Sequence, residues 1–157
     1  ANLRQLARYH DMGKLVVPYH ILFKPGPLNS LERREMQQHS EVGSRIAQSV
    51  PEIGDISDWI LKHHERWDGS GYPMGLAGDD IPLACRILAL AETYDSLVHD
   101  RPSGKPVSRE EALEHIRLHA GTQFDPVLTE KFIAAVQRSG GAEGVGSRDG
   151  GSGRKRG

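Results

Sequence analysis

Between residues 68 and 82 the chain carries glycines at 69, 71, 75 and 78 and prolines at 73 and 82, too many breakers for helix or strand. Any fold must therefore be built from the segments on either side, with this stretch as a loop. Immediately ahead of it stand two adjacent histidines, in His63-His64-Glu65-Arg66-Trp67-Asp68-Gly69-Ser70-Gly71-Tyr72-Pro73. Imidazole is the commonest neutral metal ligand near neutral pH, so the pair sets candidate ligands beside a backbone that can approach a substrate. A solvated helix end is the plain alternative. Two further signals favour metal: His10-Asp11-Met12-Gly13-Lys14 near the start, and His39 between the two.

The flanks read as helices. Leu3, Leu6, Ala7 and His10 recur at helical spacing and carry His10 and Asp11 inward, with Gly13 as a stop. A His-Asp pair with Lys14 three residues beyond Asp11 suits a metal and an anionic substrate held together; a surface pair at a frayed helix end is the other reading. Residues 15–28 hold Pro18, Pro25 and Pro27 around Ile21-Leu22-Phe23, giving a short helical turn and a rigid connector. Asn29 and Glu32 have capping-box spacing, which predicts one helix to about Ser49. Val42 and Ile46 share a face with His39, which is then either a satisfied core group or a ligand.

Past Pro51, Ile53, Ile56 and Ile60 form the inner stripe of a helix that ends at His63-His64. Trp67 and Tyr72 are stacking faces for a planar ligand or anchors of the loop on the core. Pro82 opens the helix Leu83 to about His99, read as the most buried of the set through Ala84, Ile87, Leu88, Ala91, Leu97 and Val98. Glu92 and Asp95 lie within it, and a carboxylate there needs a partner, a metal or a cation such as Arg101. Ser108 with Glu111 caps a helix to about His119, with Ala112, Leu113 and Ile116 inward. Asp125-Pro126 caps a last helix with Val127, Leu128, Phe132, Ile133 and Val136.

The expected fold is all-α, a single domain over 1–138 followed by a disordered Gly/Ser/basic tail over 139–157. At 157 residues the chain can bury a core without staples. A formal net charge of −1 argues against general nucleic-acid binding or an anionic membrane surface, so phosphate recognition must come from local geometry. Cys85 is the lone cysteine, set among apolar neighbours, and reads as a packed thiol in a reducing compartment. No leader and no apolar run long enough for a bilayer is found, which gives a cytoplasmic expectation. The chain opens at Ala1 inside what reads as the last turns of a helix, so an amino-terminal truncation is expected.

Taken together, His10-Asp11, Lys14, His39, His63-His64 and the Gly-Tyr-Pro loop resemble the HD-GYP domain, a branch of the HD metal-dependent phosphohydrolase superfamily. The resemblance runs from about Leu3 to about Ala135 and includes Lys24-Pro25-Gly26-Pro27-Leu28, Asp100-Arg101-Pro102 and Ala120-Gly121-Thr122-Gln123-Phe124-Asp125-Pro126. It implies an HD helical bundle with a glycine-rich GYP loop. The implied activity is hydrolysis of cyclic di-GMP to the linear dinucleotide or GMP by a metal-activated hydroxide. Alternatives are an HD hydrolase of another nucleotide or phosphate ester, and a degenerate, non-catalytic binding module.

Residue by residue, the resemblance makes His10, Asp11, His39, His63, His64 and Glu92 metal ligands, with Asp11 bridging two ions. Lys14 and Arg101 would contact substrate phosphate, and Gly69, Gly71, Tyr72 and Pro73 would shape the pocket wall. Two or more divalent ions are implied, and the family tilts the choice towards iron or manganese. Implied partners are cyclic di-GMP or a related nucleotide, a sensory or receiver module upstream, and a GGDEF-type signalling protein. Three departures stand out: a metal-binding histidine that HD sites use on an earlier helix precedes this chain's start; Glu92 stands where aspartate is usual; and Ser103 and Gly104 replace a tyrosine and a basic residue, with Lys105 a substitute.

Overall fold

A computed structural model describes residues 2–99 and 105–141. Its helices are α1 (Asn2–Tyr9), α2 (Tyr19–Leu22), α3 (Ser30–Gln37), α4 (His39–Gln48), α5 (Ser57–Lys62), α6 (Leu83–Val98), α7 (Arg109–Leu118) and α8 (Pro126–Gly141), with 3-10 turns at Met12–Val16, Gly54–Ile56 and Gly78–Asp80. Among the described residues β-pairing is limited to two isolated bridges, Asp68 with Ala77 and Ala120 with Phe124, so the all-α expectation holds.

Capping chemistry sets where helices begin. Asn29 Oδ1 accepts from the amides of Leu31 and Glu32, and Glu32 returns a bond to the Asn29 amide. Ser108 and Glu111 do the same for α7, and Asp125 Oδ1 accepts from Val127 and Leu128 at the start of α8. Each cap satisfies amides that have no partner inside the helix.

The single helix expected over 29–49 is instead two. At Gln38 the amide bonds back three residues to Glu35 rather than four, and this tightened turn separates α3 from α4. The break places His39 as the first residue of α4, its ring bonded to the Met36 carbonyl. The isoleucine stripe is likewise divided into a 3-10 turn and the short α5, yet Ile53, Ile56 and Ile60 are all buried as expected.

Two apolar clusters share α6. Leu88 joins Leu6, Ala47, Ile53, Ile56 and Ile60, whereas Leu90 joins Ile116 and Phe124. Residues two apart on a helix point about 200° apart, so α6 serves as the wall between the clusters. That role corrects the expectation for this helix: Cys85, Leu88 and Leu90 are its buried residues, Ala91 is exposed, and α4 buries more of its length. Leu3, Ala7 and Val127 also prove exposed, because α1 and α8 each pack along only a narrow stripe. In α7 the expected Ala112, Leu113 and Ile116 are the buried set.

Gly13 does more than end a helix. A Cβ there would lie 1.8 Å from the His39 carbonyl oxygen and 2.6 Å from the Gly43 amide, so only glycine lets the 3-10 turn lie backbone to backbone on α4. The last helix runs three residues beyond the expected domain end at 138, to Gly141. The remainder of the expected tail, and Arg101, Ser103 and Gly104, lie outside the described residues.

Candidate metal centre

Four separate elements bring the candidate ligands together. His10 and Asp11 follow α1, His39 opens α4, His63 and His64 follow α5, and Glu92 sits within α6. Ligand atoms of Asp11, His39, His63 and His64 all lie within 4.8 Å of one another, and those of His10, Asp11 and Glu92 form a second such group. Asp11 belongs to both. The spacing expected of a carboxylate shared between two cations is thus present in the chain itself.

Three of the histidines, His10, His39 and His63, are held by their far nitrogens. The Nδ1–H of His39 donates to the Met36 carbonyl and that of His63 to the Ile60 carbonyl, each at 2.6 Å. His10 Nδ1 lies 3.0 Å from the Ala7 carbonyl and 3.2 Å from that of Leu6. In His39 and His63 these bonds fix the tautomer and leave Nε2 unprotonated with its lone pair facing the site, the arrangement that prepares an imidazole for a cation, whereas His10 Nε2 lies against the Glu92 and Asp11 carboxylates. His64 Nε2 and His39 Nε2 converge to 3.1 Å.

Burial lowers the proton affinity of three of these rings. It pushes His63 down to about 4 and His64 to about 2, the latter helped by His63 and His39, and it lowers His39 as well. Neutral imidazoles at working pH are therefore ready ligands. His10 differs: burial pulls it down, but its bonds to Asp11 and Glu92 outweigh this and lift it to about 10. Burial would raise Asp11, yet His10 and Lys14 hold its carboxyl well below the usual range.

At the centre, Asp11 Oδ1 and His63 Nε2 are buried with no hydrogen-bond partner among the described residues. Unpartnered buried polar groups are costly, and here one is an anionic oxygen and the other a lone-pair nitrogen, both pointing into a shared space. A divalent cation is what this donor set fits.

Beside the ligands opens a cavity of about 530 Å³ that His63, His64 and Glu92 line together with Gln37, Arg66 and Tyr72. The glycine-rich loop forms one wall. Tyr72 stacks on His64, with ring centroids 4.9 Å apart and planes at 24°, and burial raises its phenol further above the ordinary range. Gly69 adopts φ +79°, Gly71 and Tyr72 line the cavity, and Pro73 is exposed beyond it. Trp67 is covered by the Arg86 guanidinium at 5.8 Å, so that ring anchors the loop.

Lys14 Nζ lies 2.7 Å from Asp11 Oδ2 at the edge of the centre. Asp95 is turned outward and pairs with His99, which leaves Glu92 as the α6 carboxylate at the site. Sequence reasoning overlooked Glu65, which is buried and accepts from the loop amides of Met74 and Leu76. It also overlooked Arg86, which bridges Asp79 and Asp125. The signal for Glu65 was available: a loop so rich in glycine carries amides that need acceptors.

Residues 2–128 match the family model described as HD domain. A probable cyclic di-GMP phosphodiesterase of Vibrio cholerae is 39% identical over 139 residues, 83% of this chain and 32% of the relative. A cyclic di-GMP phosphodiesterase of Thermotoga maritima is 40% identical over 129 residues, 81% of this chain and 35% of the relative. The chain thus spans about a third of the length of these curated relatives. Among solved structures, a cyclic GMP-AMP specific phosphodiesterase of Vibrio cholerae superposes with a TM-score of 0.67 at 22% identity, over 93% of this chain and 40% of the other, and shares its fold. With the motifs assembled around one centre and most of its length matched, the chain belongs to the HD-domain family, in the HD-GYP branch whose motifs it carries.

Proposed function

We propose that this domain is a metal-dependent phosphohydrolase that opens cyclic di-GMP to its linear dinucleotide. The observation that carries the reading is the sharing of Asp11 between two groups of candidate ligands beside a cavity large enough for part of a dinucleotide. His39, His63 and His64 would hold one ion with Asp11, and His10 and Glu92 the other. Bound divalent ions supply Lewis acidity that activates water and neutralises charge developing on phosphorus. Iron or manganese suits the mixed imidazole and carboxylate donors.

The chain's own residues prepare that chemistry. Lys14 fixes one Asp11 oxygen and brings positive charge to the rim, where a phosphate would enter. The Nδ1 bonds of His39 and His63 keep the rings from turning away. Tyr72 closes the site on the loop side and keeps bulk water off the His64 ring. The names of the two curated relatives supply the choice of cyclic di-GMP among phosphodiesters.

The test is elemental analysis of anaerobically purified protein, followed by chromatography of cyclic di-GMP incubated with added iron or manganese. Two ions per chain and a linear product are expected. A panel with cyclic GMP-AMP and mononucleotides decides the substrate: faster turnover of a mononucleotide, or binding of cyclic di-GMP without any cleavage, would overturn the assignment.

A further inference from the structure

Glu65 is a buried carboxylate that the chemistry above does not use. It is 5% exposed, and among the described residues no cation pairs with it. Its two oxygens are instead each taken by a main-chain amide of the glycine-rich loop: Oε1 accepts from Met74 at 2.7 Å and Oε2 from Leu76 at 2.9 Å. A buried carboxylate satisfied by amides alone is a strong, directional anchor, since bonds to an ionised acceptor are shorter and firmer than neutral ones.

The residue beside Glu65 is His64, and the loop touches both. The Tyr72 amide donates to the His64 carbonyl at 3.3 Å, and the Tyr72 ring lies on the His64 imidazole. A Cβ on Gly71 would fall 2.4 Å from the Arg66 amide, 2.5 Å from the His64 carbonyl oxygen and 2.6 Å from the Glu65 Cα. The loop is therefore laid directly on the backbone of residues 64–66, and Glu65 ties down its far side two and four residues beyond Tyr72.

We propose that Glu65 is a positioning residue: by fixing the loop at Met74 and Leu76 it presses Tyr72 against His64 and holds that imidazole in the orientation needed at the four-residue group Asp11, His39, His63 and His64. His64 needs such a hold. Unlike His39 and His63, it has no ring bond to a backbone carbonyl among the described residues, so stacking takes the place of the Nδ1 bond that fixes the others. This inference rests on the two-ion reading of the centre.

The test is Glu65→Gln in the full chain, titrated with Mn²⁺ alone by calorimetry. Glutamine keeps the size of the side chain but turns an NH₂ group towards one loop amide, so one of the two anchors is lost. The parent should show two binding events, and Glu92→Ala identifies the one that belongs to His10, Asp11 and Glu92. E65Q should weaken the other event by about 10- to 100-fold, the range for partners that orient ligands, and leave the first within about twofold. Equal loss of both events, or two unaltered ones, would overturn the proposal. Should E65Q lack the parent's helical circular dichroism, Tyr72→Ala decides, because the coupling runs through that ring: selective weakening of the same event supports it and two unaltered events overturn it. A parent that binds fewer than two ions defeats the two-ion reading and this inference with it. A parent with two ions and no linear product defeats only the substrate assignment.

Discussion

His10 Nε2 and Glu92 Oε1 meet at 2.5 Å, joining the end of α1 to the body of α6. Glutamate stands here where an aspartate was expected from the family, and its side chain reaches the histidine of the His-Asp pair. Glu92→Ala should reduce manganese uptake from two ions to one per chain while sparing the group that contains His63 and His64. Elemental analysis after desalting checks this, and an unchanged stoichiometry removes Glu92 from the centre.

Asp11→Ala should be more severe, because both groups of donors use that carboxylate. We expect both ions to be lost and hydrolysis to fall more than about 100-fold, beyond the cost of losing an outer partner. Far-ultraviolet circular dichroism should stay near the parent's, as Asp11 contributes to neither apolar cluster. Full metal content in this variant would refute the bridging role.

Lys14→Ala separates charge from coordination. The ammonium touches Asp11 but supplies no ligand atom, and both side chains are partly open to solvent. Metal content should persist, and kcat/KM should fall roughly 10- to 100-fold, the worth of a charged hydrogen bond. Parent-like kinetics would take Lys14 out of substrate handling.

Cys85 offers a check on the core rather than the site. Its thiol is buried on α6, donates to the Trp59 carbonyl at 3.3 Å and is pushed by burial up to about 12. Between the ordinary thiol value and about 12 the folded state keeps a proton that the unfolded state gives up, so stability falls as pH rises through that window. At pH 8 a maleimide or disulfide reagent should label the folded protein far more slowly than the same protein in denaturant. Rapid labelling of the folded chain would show that α6 opens locally.

Gly13→Ala tests the contact that sets the His-Asp pair on α4. The added methyl would run into the His39 carbonyl and the Gly43 amide, so the 3-10 turn must shift. A loss of at least roughly 1–3 kcal/mol is expected, the range for overpacking, together with weaker binding of both ions because Asp11 moves with the turn. Thermal melting and metal titration report the two effects separately.

Much of this arrangement could be read along the chain. The caps at Asn29, Ser108 and Asp125 act through residues two to three positions away, so local spacing is sufficient to find them. The inward isoleucines at 53, 56 and 60 and the apolar stripe of α7 follow from periodicity, which depends only on helix geometry. The candidate ligands were legible as residue types that need partners, and the glycine density after His64 marked a loop at the same place.

Other features depend on what lies across the fold. That α6 divides two clusters, burying Leu90 and exposing Ala91, follows from elements far away in sequence packing on both of its sides. Gly13 looks like a helix stop until α4 is laid against it, and Glu65 looks like a surface charge until the loop returns nine and eleven residues later with two amides to satisfy. Asp11 is shared between two groups of candidate ligands only because α1, α4, α5 and α6 converge there. Local sequence determined the helices, their caps and the chemistry available; distances between side chains from different elements are set by packing, and packing alone decided which of them form one centre.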